Sequence, residues 1–353
     1  MQKKIIALAV AAAFSAPAFA DTTVYGIVDA AVTNTSKTGS KSRMDLISGG
    51  LSTSRFGVKH TEGLDNGMTA ILVLEYGLDV ANNTTIGAKA ATFDTATGAA
   101  TTTYAANARQ QMLALAGGFG TVAAGFLQTT GYDFSVKYNP YAGSAVDPFT
   151  AANLNSFITT SSRAAHAVAY ISPNMNGVTV AVNHTFNASN SALTANNDTT
   201  INGNATSANL LSANFDQGPL SVGGVYASTA NDGTGYAKIS ELGLGASYDL
   251  GAAKISGTYL TTKKDSTGVA GNTDKLINFS AVAPVGAGSV VFGYAKNTKA
   301  STAGSDDTSA FTVAYLQALS KTATGYAALE QVSTQGATTT DTTVLAVGLR
   351  KKF

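Results

Sequence analysis

Three histidines, His60, His166 and His184, are the first candidates for metal binding or acid–base chemistry. A helical zinc site would place two of them about four residues apart, and a serine hydrolase would carry a nucleophile elbow. The three lie in separate segments with neither the spacing nor the carboxylate partners of a zinc site, and no serine motif accompanies them. We therefore predict that the protein is not an enzyme and holds no metal.

The stretch GLGASYDLG, residues 243–251, has a faint likeness to a dinucleotide-binding loop. It lacks the third glycine at the required spacing. It also leads into a turn and a strand, whereas a dinucleotide loop opens a helix. The sequence thus predicts no cofactor.

The remaining chemistry lies in the cations. Arg55 and Lys59 share one parity of an alternating segment, opposite the apolar Phe56 and Val58, so they point to one face of a strand. A guanidinium group facing lipid costs about 2–4 kcal/mol at the bilayer midplane, so in a membrane this face would line a polar interior. Fixed positive charges in a narrow gap raise the local anion concentration without binding any anion tightly. Solvated wall residues with no role in selectivity are the alternative.

The amino terminus, MQKKIIALAVAAAFSAPAFA, has two lysines, an apolar stretch and the small-x-small triplet Ala18-Phe19-Ala20. This order is typical of a secretory signal peptide over residues 1–20, cleaved after Ala20. A membrane anchor is the alternative, but the apolar run is far shorter than the ~20 residues that a spanning helix needs. The mature chain is therefore expected to be 21–353 and to lie outside the inner membrane.

Composition narrows the class of the mature chain. Without Lys3 and Lys4 it has 20 basic and 21 acidic residues, a net charge of −1, which predicts no nucleic-acid partner. Charged residues make up only 12%, against about 25% in soluble domains, while 44% hydrophobic content argues against disorder. There is no cysteine, so no disulfide holds the fold. No apolar run after residue 20 can span a membrane as a helix, which leaves a closed β-barrel as the possible membrane fold.

Period-two alternation runs through almost the whole mature chain. In MTAILVLEYGL, Ala70, Leu72 and Leu74 fall on one face, while Thr69 and Glu75 fall on the other. About 16 such segments of ~10 residues can be counted, which are the number and length of an outer-membrane barrel. Seven short connections rich in turn formers alternate with eight long polar ones, at roughly 33–52, 80–106, 130–162, 187–206, 229–236, 264–273, 298–308 and 333–341.

This pattern predicts an all-β fold, a 16-stranded antiparallel transmembrane β-barrel with both termini at the short-turn end. Such a barrel is wide enough to enclose an aqueous channel. The closing VLAVGLRKKF is itself a strand, which can pair with the first strand and leave no open edge in the membrane. A soluble β-sandwich and a secreted β-rich adhesin are the alternatives.

Several local motifs match a known family. The segment STSRFGVKHTEGLDNGMTAILVLEYG, with TVYGIVDAAV, GGFGTVAAG, RAAHAVAYISPNMNG and VGLRKKF, resembles the trimeric general porins of β-proteobacteria, the neisserial and burkholderial type. The resemblance implies a homotrimer in the outer membrane of a Gram-negative bacterium, surrounded by lipid and lipopolysaccharide. It also implies that the barrel-assembly machinery recognises the terminal Phe353.

The resemblance implies a pore constriction as well. The third outside loop, 130–162, would fold inward as in the family. It would face the cations matching the family's basic cluster on strands two, four and six. The implied constriction residues are Arg55, Arg109 and Arg163, with Lys59 beside them, Glu75 close by, and Asp133 and Asp147 in the loop.

These observations predict a general diffusion porin that passes small hydrophilic solutes and ions with a modest anion preference. A substrate-selective channel of the same architecture, for sugars or dicarboxylates, is the second hypothesis. The absence of tryptophan counts mildly against a sugar channel. A β-rich adhesin without transport is the third.

Overall fold

The computed structural model describes residues 20–82, 92–93, 100–101, 108–153, 159, 161–186, 206–231, 238–265, 273–299, 307–336 and 339–353. The expected signal peptide, apart from Ala20, lies outside the described residues, as do parts of the long connections. Within the described ranges, no helix is long and apolar enough to cross a membrane.

Strands dominate the described chain. They are β1 Asp21–Lys37, β2 Arg43–Ser48, β3 Arg55–Gly63, β4 Thr69–Gly77, β5 Thr92–Phe93, β6 Ala100–Thr101, β7 Ala108–Gly117, β8 Gly120–Gln128, β9 Arg163–Ile171, β10 Val178–Thr185, β11 Thr206–Gln217, β12 Leu220–Asn231, β13 Lys238–Asp249, β14 Lys254–Asp265, β15 Thr273–Val285, β16 Gly288–Thr298, β17 Asp307–Ala318, β18 Ala323–Gln335 and β19 Thr340–Lys352. Two helices, α1 Thr130–Tyr138 and α2 Pro148–Asn153, lie between β8 and β9.

The strands form one closed antiparallel barrel. From β3 to β19 each strand of the ring pairs with the next one, with β4 followed by β7, and β1 closes the ring by pairing with β19, where Ala31 lies opposite Gly348. The short β2 and β3 occupy one position beside β1, and the β5–β6 pair stands apart, so the barrel has sixteen strand positions. This confirms the predicted barrel. Closure satisfies the backbone hydrogen bonds of every edge, as a membrane requires.

The two faces of the barrel differ as the alternation predicts. Large apolar side chains such as Val32, Leu242 and Val347 are exposed on the outer face. Their neighbours in sequence point inward, among them Thr33, Glu241 and Ala346, which are buried. A strand with period two can therefore face lipid on one side and a polar lumen on the other.

The first connection differs from the expected loop at 33–52. The strand β1 continues to Lys37, and Arg43–Ser48 pairs with it as β2, so only residues 38–42 form the turn. The alternation of Val32, Asn34 and Ser36 with Thr33 and Thr35 extends the strand beyond the expected boundary. Residues 49–54 then leave the sheet before β3 begins.

The described part of the third loop packs against the inner face of the barrel. Phe134, Tyr138 and Phe149 form an apolar cluster with Leu260 and Leu276, whose strand neighbours Tyr259 and Ile277 are exposed on the outside. Tyr141 donates a hydrogen bond to the carbonyl of Val291 at 2.7 Å, and Thr312 Oγ1 donates to the carbonyl of Val146 at 2.9 Å. The two described helices of the loop thus pack against the inner face of β10–β18. The wall from β19 through β1 to β9 is here called the uncovered wall, because these helices make no extensive contact with it.

Candidate functional site

The uncovered wall carries a cluster of charged side chains around one carboxylate. Glu75 on β4 accepts a hydrogen bond from Arg109 Nε at 2.7 Å on Oε1 and from the Tyr25 hydroxyl at 3.1 Å on Oε2. Arg55 Nε lies 3.5 Å from Oε2. The four residues belong to β1, β3, β4 and β7, which are consecutive around the barrel. The register brings them together, because Gly57, two residues after Arg55 on β3, lies opposite Tyr25 of β1 on one side and Glu75 of β4 on the other.

A bulge positions Arg109. In the β4–β7 ladder Glu75 lies opposite Gln110 and Tyr76 lies opposite Ala108, so Arg109 is the extra residue between them. Continuous alternation from the inward Ala114 would place Arg109 on the outer face. A bulge shifts the alternation by one residue and redirects the side chain. The guanidinium group therefore reaches Glu75 inside the barrel.

Arg163, the first residue of β9, joins the same cluster. Its Nε donates to the carbonyl oxygen of Arg109, and Nη1 donates to that of Ser162 at 2.7 Å. Its guanidinium carbon lies 5.6 Å from the centre of the Tyr132 ring on α1, within the range of a cation–π contact. A second register shift, between Gly125 and Leu127 in the β8–β9 ladder, lies nearby. The cluster thus contains three guanidinium groups, of which two share the carboxylate of Glu75.

The two aspartates expected in the loop have different surroundings. Asp133 on α1 accepts a hydrogen bond from Gln128 Nε2. Burial raises the pKa of Asp133 to about 6, although Gln128 and Arg163 lower it in part. The buried Asp147 accepts hydrogen bonds from Asn139 Nδ2 at 2.8 Å, Thr150 Oγ1 at 2.8 Å and the Phe149 amide at 3.0 Å. These bonds lie within the loop, so Asp147 holds the start of α2 in place.

Lys59 and Phe353 lie away from the carboxylate. Lys59 is on the inward face of β3, four residues from Arg55, and lies opposite Thr23 of β1. Phe353 continues β19, because its carbonyl accepts from the Gly26 amide at 3.0 Å and its amide donates to the Gly26 carbonyl at 3.2 Å. Its side chain is 57% exposed.

Sequence analysis missed several residues at this site. Tyr25 and Tyr132 contact the arginine cluster, and Asp29 and Tyr326 form a buried hydrogen bond of 2.6 Å beside it. Asp29 could have been recognised from the sequence, because an acidic side chain that points into the barrel from the first strand needs hydrogen-bond partners. The tyrosines carry no such signal, because the sequence does not reveal which strands and loops meet.

Acids on the covered wall are buried against the loop. Glu241 on β13 accepts a hydrogen bond from the Thr159 amide at 2.7 Å, and Glu330 on β18 is only 4% exposed. The arginine cluster instead lies on strands that the loop helices do not cover. Among the described residues, the arginine cluster and these two buried acids therefore lie on different walls of the barrel. Among the described residues, no group of His, Asp and Glu side chains could hold a metal ion.

The comparison with protein-family models matches residues 7–337 to the Gram-negative porin model. The chain belongs to the Gram-negative porin family. This confirms the family inferred from the motifs, and porins are channels. The comparison with curated proteins gave no match.

Solved structures of other porins share the fold. An anion-selective porin from Comamonas acidovorans superposes with a TM-score of 0.78 at 24% identity, covering 95% of this porin and all of that chain. The trimer form of OmpT from Vibrio cholerae has a TM-score of 0.66 at 14% identity, covering 95% and 99%. OmpF from Salmonella typhi, in complex with daunomycin, has a TM-score of 0.64 at 14% identity, covering 94% and 97%.

Proposed function

We propose that this outer-membrane diffusion porin prefers anions modestly, and that Arg55, Arg109 and Arg163 set the preference. The observation that carries the proposal is that these guanidinium groups meet on the uncovered wall. Arg55 and Arg109 share the carboxylate of Glu75, and Arg163 donates to the backbone carbonyl of Arg109. Their net positive field faces the described part of the third loop, which narrows the lumen from the other side. The Comamonas porin of the same fold is described as anion-selective.

The anion preference is modest because the arginine side chains already have partners within the protein. Arg109 pairs with Glu75, and Arg163 bonds two backbone carbonyls. Asp133 adds negative charge at neutral pH. Anions are therefore attracted and oriented but not held, which suits a diffusion channel. The preference should fall as salt rises, because the screening length falls from about 10 Å at 0.1 M to about 3 Å at 1 M.

The test is the zero-current potential across a planar bilayer under a potassium chloride gradient. We expect the native channel to favour chloride, and the triple Arg→Ala variant of the cluster to lose most of that preference. The matched control removes three lysines of outward parity, Lys238, Lys275 and Lys296, and should leave the potential unchanged. A native channel that favours potassium, or a cluster variant that keeps the native potential, would overturn the proposal.

We also propose how this porin assembles and is processed. The porin assembles as a homotrimer in contact with outer-membrane lipid and lipopolysaccharide. The barrel-assembly machinery recognises Phe353, the exposed residue that follows β19. The signal peptide is removed after Ala20, and Asp21 is then both the mature terminus and the first residue of β1. Lys59 and Asp147 act as a more distant cation and a loop anchor.

A further inference from the structure

Residues 49–54, here named the inner insert, interrupt the second strand position. β2 ends with Ser48 opposite Ala30, and β3 begins with Arg55 opposite Ile27. Six residues of the chain therefore face only two of β1. An antiparallel ladder pairs residues one to one, so the extra residues must leave the sheet.

The inner insert connects the wall to the third loop. Thr53 donates its amide and its hydroxyl to the carbonyl of Gly143, at 3.0 and 3.2 Å. The Ala145 amide donates to the carbonyl of Gly50 at 3.0 Å. Arg55 follows the insert directly, and its Nη1 donates to the Thr53 carbonyl at 3.1 Å. One short segment thus contacts both the arginine cluster and the loop opposite it.

Asp29 holds the inner insert. Its carboxylate has no exposed surface, and its Oδ2 accepts from the amides of Leu51 at 3.0 Å and Ser52 at 2.8 Å. Its backbone also binds the insert at both ends, since its carbonyl accepts from the Gly49 amide at 2.8 Å and from the Ser54 hydroxyl at 3.0 Å. A buried carboxylate needs such partners, because an unsatisfied one is costly.

Tyr326 completes the arrangement from two strands away. Its hydroxyl donates to Asp29 Oδ1 at 2.6 Å. The ring lies across Gly348 of β19, where a Cβ would come within 2.3 Å of the hydroxyl oxygen, so only glycine lets the tyrosine pass. Arg350 lies on β19 like Gly348, and its Nη1 donates a hydrogen bond to Ser52 Oγ of the insert at 3.0 Å. Residues of β1, β18 and β19 therefore hold the inner insert, either directly or through Asp29.

We propose that Asp29 is a positioning residue for the constriction. Through the inner insert, its carboxylate sets the distance between the arginine cluster and loop residues 143–145. The inference rests on the proposed constriction but not on its ion preference. Single-channel conductance and its noise report the position of the loop whichever ion is favoured, whereas the zero-current potential reports the sign of the charge.

The first test compares Asp29→Ala with Asp29→Asn. Asparagine keeps an oxygen for the two amides and a donor for the tyrosine oxygen, whereas alanine keeps neither. We expect Asp29→Ala to give several conductance levels and at least twofold greater current noise, and Asp29→Asn to stay near native. Equal changes in both variants would indicate a simple charge effect and would overturn the proposal, as would native traces from Asp29→Ala.

The second test restores the contact by another route. The chain has no cysteine, and Thr53 Oγ1 lies 3.8 Å from the position of a Cβ built on Gly143. Because Gly143 has a φ of +80°, which strains any other residue, the same cysteine pair in the otherwise native porin, oxidised and reduced, is the control. A Thr53→Cys/Gly143→Cys pair added to Asp29→Ala should return a single conductance level when oxidised and lose it on reduction. If Asp29→Ala does not fold, the same pair is added to Tyr326→Phe, for which we expect a weaker defect of the same kind. An oxidised pair that leaves the conductance levels unchanged would contradict the role of the insert.

Discussion

At the scale of single residues, the described carboxylates inside the barrel differ in their partners. Glu75 is shared between Arg55 and Arg109, so the cluster keeps an excess of positive charge. Asp147 and Asp29 are occupied by hydrogen bonds from the loop and the inner insert. Asp133 differs, because its pKa of about 6 lets it change charge in the physiological range.

This difference predicts a pH dependence of selectivity. Because the pKa of Asp133 is raised to about 6, its carboxylate is ionised at pH 7.5 and neutral at pH 5. Lowering the pH removes a negative charge near Arg163, so the anion preference should rise through pH 6. The measurement is the zero-current potential at both pH values. Asp133→Asn is the control and should show the low-pH preference throughout; an equal pH response in native and variant channels would assign the titration to other groups.

At the scale of elements, bulges decide where side chains point. The extra residue in the β4–β7 ladder brings Arg109 inward, and the inner insert interrupts the second strand position. The two described loop helices then pack against β10–β18. The last element, β19, closes the ring, and Phe353 adds one more backbone pair to β1.

Deletion of Phe353 should therefore lower the yield of barrel assembled in the outer membrane and leave the stability of the folded barrel nearly unchanged. The deletion removes two backbone hydrogen bonds, each worth about 0.5–1.5 kcal/mol, from a strand with eleven paired residues on β1. We expect the barrel folded in detergent to stay stable, while the yield in the outer membrane falls severalfold because the assembly machinery no longer recognises the terminus. Heat-modifiable protein on gels measures both. Phe353→Tyr keeps the aromatic ring and should assemble normally; native surface levels of the deletion would show that the residue is dispensable.

At the scale of the whole molecule, the outer wall at the closure of the barrel carries aliphatic side chains. Around the closure of the ring, β1 presents Val24, Val28 and Val32, and β19 presents Val347 and Leu349. Such an aliphatic surface can face lipid or pack against the same surface of a second copy, so the oligomeric state has to be measured.

The number of subunits in the native porin can be tested directly. We predict that chemical cross-linking of the native porin in mild detergent gives a ladder that ends at three subunits. Heating before cross-linking is the control and should leave monomer alone. A ladder that stops at one or two subunits without heating would contradict the trimer.

Much of this porin is determined by local sequence. Period-two alternation sets the strands and their faces, and it turns Arg55 and Lys59 to one face, because each side chain's face follows from its neighbours. Turn residues and the closing strand set the strand number. The constriction role of Arg109, Arg163 and Glu75 is implied by the resemblance to the family and stays a prediction. None of these inferences needs knowledge of which distant segments meet.

The tertiary structure alone decided the rest. Alternation by itself turns Arg109 outward, and only the ladder with β4 shows the bulge that reverses it. The partnership of Asp29 with Tyr326 spans 297 residues, and it forms because barrel closure brings β18 and β19 beside β1. The inner insert looked like part of an outside loop, because polar and glycine residues suit either setting. Sequence patterns report local periodicity, whereas contacts between distant strands depend on register and closure, which are properties of the whole ring.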